Sequence, residues 1–185
     1  MTRFIDIADN PLPGGGACET VKAPDGAPLR AGFFPAPSPR GTIILVPGWS
    51  EFIEKYFETV RDLQARGLNV AMIDWRGQGL SDRESAKAAK WRGYFETLKD
   101  DLRHFTETDV RPRFAGPYFL MTHSMGGLPG LMLLAEGYEG FSRAVLCAPM
   151  TRLFPEAQNR VLAFAASSAC ALGFATHETA RSKDH

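Results

Sequence analysis

Residues 118–134 read Tyr-Phe-Leu-Met-Thr-His-Ser-Met-Gly-Gly-Leu-Pro-Gly-Leu-Met-Leu-Leu, and this stretch decides the fold. Residues 118–121 form a short apolar and aromatic run of the kind expected for a buried strand. Residues 128–134 are apolar and favour a helix. Between them, residues 122–127 form a sharp corner with Ser124 at its tip. A serine hydroxyl is a weak nucleophile near neutral pH and needs activation. A corner of this kind exposes the hydroxyl, and the new helix aims its unpaired N–H groups and positive dipole end at the same place. Negative charge developing there would be stabilised. Read in isolation, the same residues also suit a plain loop serine after a buried strand, so the rest of the chain has to decide.

Composition narrows the options. A chain of 185 residues suits one domain of ordinary size, and 44% hydrophobic content can build a core. Lys and Arg total 21 against 21 Asp and Glu, which argues against nucleic acid or an anionic membrane as the main partner. Cys18, Cys147 and Cys170 are odd in number and lack C-x-x-C spacing. A disulfide framework or zinc site is therefore not expected, Cys147 is read as core, and a reducing, cytoplasmic setting fits. Asp6 and Asp9 interrupt the N-terminus before a secretory apolar stretch develops. The nearly uncharged run 161–176 is shorter than the ~20 residues a membrane span needs, so no span is expected.

From residue 42 to residue 148, strand-like and helix-like patterns alternate. Residues 18–23 and 29–34 flank Pro24-Asp25-Gly26-Ala27-Pro28, a turn signal that predicts an antiparallel hairpin. Residues 42–46 (Thr-Ile-Ile-Leu-Val) predict a strand buried on both faces, broken by Pro47-Gly48-Trp49-Ser50. Apolar residues at 52, 53, 56, 57, 60 and 63 predict a helix over 52–66, stopped by Gly67. A strand over 68–73 leads into Asp74-Trp75-Arg76-Gly77-Gln78-Gly79-Leu80-Ser81-Asp82. Gly77-x-Gly79 lacks the third glycine of a dinucleotide fingerprint, and no Gly-Lys-Ser/Thr follows the glycines of residues 11–16. No cofactor or metal is expected. Residues 91–110 predict a second amphipathic helix, on which Asp101 and His104 are read as structural or solvated. Residues 144–148 predict one more buried strand. The alternation implies a mostly parallel, doubly wound α/β sheet, with ligands beyond the carboxyl ends of its strands.

Three segments near those strand ends resemble the α/β-hydrolase superfamily. They are Leu45-Val46-Pro47-Gly48-Trp49-Ser50-Glu51 with Tyr56, the segment 74–81, and His123-Ser124-Met125-Gly126-Gly127, followed by Ala148-Pro149-Met150. The last serine motif is similar to the G-x-S-x-G nucleophile elbow, with Thr122 in place of the first glycine and some crowding expected there. Within the superfamily the chain resembles the lysophospholipase and monoacylglycerol-lipase-like group, which includes serine aminopeptidase-like domains, from about residue 29 to 150. The resemblance implies an α/β-hydrolase fold with an N-terminal antiparallel hairpin. It implies Ser124 as nucleophile, the backbone N–H groups of Trp49 and Met125 as oxyanion hole, and an acyl ester or lysolipid as substrate. Pro47 stands where the family usually has histidine, and Pro129 is expected to bend the elbow helix slightly.

In that superfamily the triad runs Ser, Asp or Glu, then His, with the last two on later strands. No such strand pattern follows residue 150. Residues 1–150 are read as the N-terminal part of the core, and 151–185 as the start of a cap helix, over 156–172, plus an unassigned tail. The sheet is expected to lack its last strands, as in a truncated member of the family. Asp184-His185 keeps the residue order but sits in a polar tail, and His123 should point away from its neighbour Ser124. Loss of the triad histidine typically costs about a million-fold in kcat, on the order of 8 kcal/mol, with a residual of ~10³ over water. The expectation is an impaired serine ester hydrolase. The alternatives are a non-catalytic fragment that self-associates through an exposed sheet edge, and a prolyl-aminopeptidase-like amide hydrolase.

Overall fold

The computed structural model describes residues 3–85 and 93–151, together with Phe164 and Ser168. Strands β1 (Ala17–Lys22) and β2 (Pro28–Phe34) form the N-terminal hairpin. Gly26, at φ +84, supplies the positive dihedral that the Asp-Gly turn requires, and Asp25 accepts the Ala27 N–H at 3.1 Å. Strands β3 (Thr42–Val46), β4 (Asn69–Ile73), β5 (Tyr118–His123) and β6 (Arg143–Cys147) complete a six-stranded sheet in the order β1-β2-β4-β3-β5-β6. β2 meets β4 antiparallel, and the pairs β4-β3, β3-β5 and β5-β6 are parallel. This is the mostly parallel sheet with an antiparallel hairpin that the alternating pattern implies.

The period of two along β3 sorts its side chains. Ile44 and Val46 join a core with Phe33, Leu102, Phe105 and Leu133, while Ile43 and Leu45 join another with Phe34, Phe57, Val60 and Met72. Helix α1 (Phe57–Ala65) covers the second face, and α2 (Tyr94–Phe105) with α3 (Gly127–Ala135) covers the first. Both faces of the sheet are thus buried, which is why β3 and β4 carry no exposed residue.

Several predicted boundaries shift for local reasons. The helix expected over 52–66 opens as a 3₁₀ turn, Ile53–Tyr56, before α1. The second helix runs Tyr94–Phe105 and loosens into a π turn over Thr106–Val110; Trp91 lies outside the described residues. The elbow helix divides into a 3₁₀ turn, Ser124–Gly126, and α3. The division falls where Pro129 has no N–H to give the Met125 carbonyl four residues back. The strand at 144–148 is not a buried one. It runs Arg143–Cys147 at the edge of the described sheet, three of its five residues are exposed, and Val145 is 56% accessible. Its composition suits an interior strand, but among the described residues nothing packs on its outer side. Cys147 at its end is half-buried rather than core. The expected cap helix over 156–172 and the tail lie outside the described residues.

Candidate active site

Two loops and the elbow meet at the carboxyl ends of β3, β4 and β5. Asp74, at the end of β4, organises the first two. Its carboxylate accepts the Ile53 N–H and the Leu80 N–H, both at 2.9 Å, and the Arg30 Nε at 2.6 Å. Arg30 is itself buried and also binds the buried Glu54, at 2.7 Å for one of its bonds. A Cβ on Gly79 would lie 2.0 Å from the Asp74 carboxylate, so the second glycine of Gly77-x-Gly79 makes room for an acid. Asp101, read from sequence as structural or solvated, is structural: it pairs with the buried Arg76 at 2.6 Å, and Arg76 reaches back to Asp25 of the hairpin turn.

The loop after β3 is tied down residue by residue. The Pro47 carbonyl accepts the Trp75 indole N–H at 2.8 Å. The Gly48 N–H donates to Glu51 at 2.6 Å, and the Ser50 N–H donates to the Gln78 side-chain oxygen. Between them, the Trp49 N–H has no hydrogen-bond partner among the described residues. The Trp49 side chain is exposed, as are Phe52 and Leu80 nearby, which gives this end of the sheet an apolar rim.

Ser124 follows the extended His123 and adopts φ +47. For a non-glycine residue this left-handed conformation costs roughly 1–2 kcal/mol and marks a position held by its surroundings. Three contacts hold it. The Ser124 carbonyl accepts the Met150 N–H at 2.8 Å. A Cβ on Gly126 would meet the Pro47 carbonyl oxygen at 2.5 Å, so the elbow sits directly against the loop after β3. A Cβ on Gly48 would lie 3.0 Å from the Ser124 Cβ. Ser124 is half-buried rather than sunk in the core. Met125 is second in the 3₁₀ turn, where an N–H has no acceptor within the helix. The crowding expected from Thr122 is absorbed by α3: Cβ atoms on Gly130 and Gly127 would lie 3.1 and 3.5 Å from its side chain.

The three residues expected to act together, Ser124, Trp49 and Met125, therefore lie on segments in direct contact. Ser50, Ser124 and Ala148, all at this end of the sheet, share positive φ. Among the described residues no imidazole is hydrogen-bonded to Ser124; His123 instead turns its Nδ1 to Glu51 at 3.0 Å. No group of three or more His, Cys, Asp or Glu side chains placed to hold a metal occurs among the described residues. No helix among them is long and apolar enough to cross a membrane. Sequence reasoning gave no role to Glu51 or Gln78. The i,i+4 spacing of Glu51 and Lys55 was a visible signal, but the longer-range partners were not.

Comparison with known proteins gives the family and the fold. A family profile described as "Serine aminopeptidase, S33" matches residues 37–181. Lysophospholipase L2 of Escherichia coli (strain K12) is 34% identical over 131 residues, which is 68% of this chain and 37% of that protein. Monoglyceride lipase of Mus musculus is 28% identical over 132 residues, 71% of this chain and 42% of that protein. The chain thus spans well under half the length of these curated relatives. In fold, it resembles a soluble variant of monoglyceride lipase from Saccharomyces cerevisiae solved with a substrate analog. That match has a TM-score of 0.67 at 21% identity and covers 93% of this chain and 56% of that one.

Proposed function

The chain belongs to the serine aminopeptidase S33 family of α/β-hydrolase fold, and from that premise we propose that it is a serine hydrolase of carboxylic esters, acting on lysophospholipid- or monoacylglycerol-like acyl esters. Ser124 Oγ attacks the ester carbonyl carbon. The carbonyl oxygen becomes an oxyanion that accepts the Trp49 and Met125 N–H groups. Collapse of the tetrahedral intermediate expels the alcohol, and water then releases the acyl group from Ser124. The observation that carries this reading is the strained Ser124 lying against Gly48, beside the residue whose N–H, that of Trp49, has no partner among the described residues. The exposed Trp49, Phe52 and Leu80 suit an acyl chain. The lipid-ester names of the relatives point the same way.

The hydroxyl proton has to pass to a base. His123 spends one ring nitrogen on Glu51, and His104 lies on α2. The base and its acid therefore come from outside the described residues. Without them turnover would fall about a million-fold, and the chain would be a crippled hydrolase. A second reading, hydrolysis of aminoacyl amides, is favoured by the aminopeptidase description of the matching family. A substrate panel separates the two. We expect slow turnover of p-nitrophenyl butyrate, monoacylglycerol or lysophosphatidylcholine that Ser124→Ala abolishes, with aminoacyl p-nitroanilides untouched. Ester turnover equal in both proteins would contradict the proposal, and Ser124-dependent anilide cleavage would favour the amide reading. The outer side of β6, unpaired among the described residues, is further proposed to support self-association.

A further inference from the structure

Glu51 is only 5% exposed, yet it gathers four donors. Its Oε2 accepts the Gly48 N–H at 2.6 Å and the Tyr56 hydroxyl, and lies 3.0 Å from His123 Nδ1; Lys55 Nζ holds Oε1 at 2.6 Å. Burial opposes its charge, but the bonds from Lys55, Tyr56, His123 and Gly48 outweigh that and hold the carboxyl down at about 2. An ionised carboxylate can only accept, so His123 carries its proton on Nδ1. The donors belong to different segments. Gly48 lies on the loop after β3, Lys55 and Tyr56 on the 3₁₀ turn beyond it, and His123 is the last residue of β5, immediately before Ser124. A Cβ on Gly48 would lie 2.8 Å from Glu51 Oε2 and 3.0 Å from Ser124 Cβ, so the carboxylate and the serine both close in on the space beside Gly48 that only a glycine leaves free.

We propose that Glu51 is a positioning residue that sets the separation of the Trp49 and Met125 amides, by binding Gly48 and His123 to one carboxylate. This rests on the reading of Ser124 as nucleophile and of those amides as its oxyanion donors. Glu51 touches no reacting atom. It draws the Gly48 N–H to one side while Gln78 draws the Ser50 N–H, which leaves the Trp49 N–H between two anchored neighbours. The same carboxylate holds the residue from which the elbow turns. Loosening it lets the two donors drift apart, and the loss falls on the step in which the oxyanion forms rather than on binding.

The test is stoichiometric acylation-like labelling by a fluorophosphonate, with the rate constant of inactivation and the half-saturating concentration measured separately. We expect Glu51→Ala to lower the rate constant about 100-fold, near the loss of one oxyanion donor. Glu51→Gln keeps an acceptor for the Gly48 N–H and should lose only about tenfold, with half-saturation within about twofold of wild type in both. Hydrogen–deuterium exchange on the unreacted proteins should show faster exchange in peptides covering residues 47–52 and 123–126. Should Glu51→Ala fail to fold, Tyr56→Phe, which removes one donor, should still slow labelling about threefold. Folded Glu51 variants that label and exchange like wild type would overturn the inference. Wild-type label that falls on a serine other than Ser124 would reject the nucleophile reading and with it the role of Glu51 in positioning donors; unchanged exchange would separately reject the anchoring.

Discussion

Gly126 packs so closely on Pro47 that a Cβ built on it would lie 2.5 Å from the Pro47 carbonyl oxygen. The elbow and the loop after β3 are therefore one unit, and the contact is backbone against backbone. Gly126→Ala has no flexible side chain to displace. Overpacking of this kind costs about 1–3 kcal/mol. We predict a lower urea midpoint for Gly126→Ala, and Ser124 labelling at least tenfold slower in the protein that remains folded.

Arg30 is buried between Glu54 and Asp74. A hydrophobic replacement leaves two buried carboxylates without their cation, and breaking such a network typically costs about 3–5 kcal/mol. Arg30→Leu should lose that much stability in urea denaturation. The double variant Arg30→Leu/Glu54→Gln should recover part of it, because one of the stranded charges is gone. Purely additive losses would show that the three groups are not coupled.

Acid should weaken the same end of the sheet. The Glu51 carboxyl sits at about 2 when folded against an ordinary value of 4.5. A depressed carboxyl contributes stability that is present above its unfolded value and is lost as pH falls toward its folded value. The contribution of Glu51 is thus full above about pH 5 and drains away between 4.5 and 2. Thermal midpoints of Glu51→Gln should lie below wild type at pH 7 and converge on it only as pH falls toward about 2. Parallel curves would mean that Glu51 gains nothing from its partners.

The outer side of β6 offers a separate check. Val145 is 56% accessible on the last strand of the described sheet, and unpaired apolar edges promote association. Val145→Lys should shift the molecule toward monomer in sedimentation at high concentration. A wild-type protein that is already monomeric throughout would remove β6 as an association surface.

How far the sequence carried depended on the range of the interactions involved. The β-branched run at residues 42–46 is β3 to the residue, because burial on both faces needs no partner information. The Asp25-Gly26 turn likewise announced its hairpin, since the positive φ is a local demand. Ser124 at its corner was legible from the strand–turn–helix pattern. The apolar composition of β6 suggested burial, since composition says nothing about which strands lie beside it; its place at the edge was legible only from the lack of a strand pattern after residue 150. Gln78, and the link from Glu51 to His123, were equally hidden, as those partners lie 28 and 72 residues away in the chain. The break in the elbow helix was foreseen only as a bend at Pro129; it appears as a change from a 3₁₀ turn to α3.

The account turns on the reactivity of one hydroxyl. Incubation of the purified chain with a fluorophosphonate, followed by peptide mass spectrometry, reads it directly. The adduct is predicted on Ser124 and nowhere else, and it should vanish in Ser124→Ala. Without the base uptake is slow and needs prolonged exposure; an adduct on another serine, or uptake by folded Ser124→Ala equal to wild type, would contradict it.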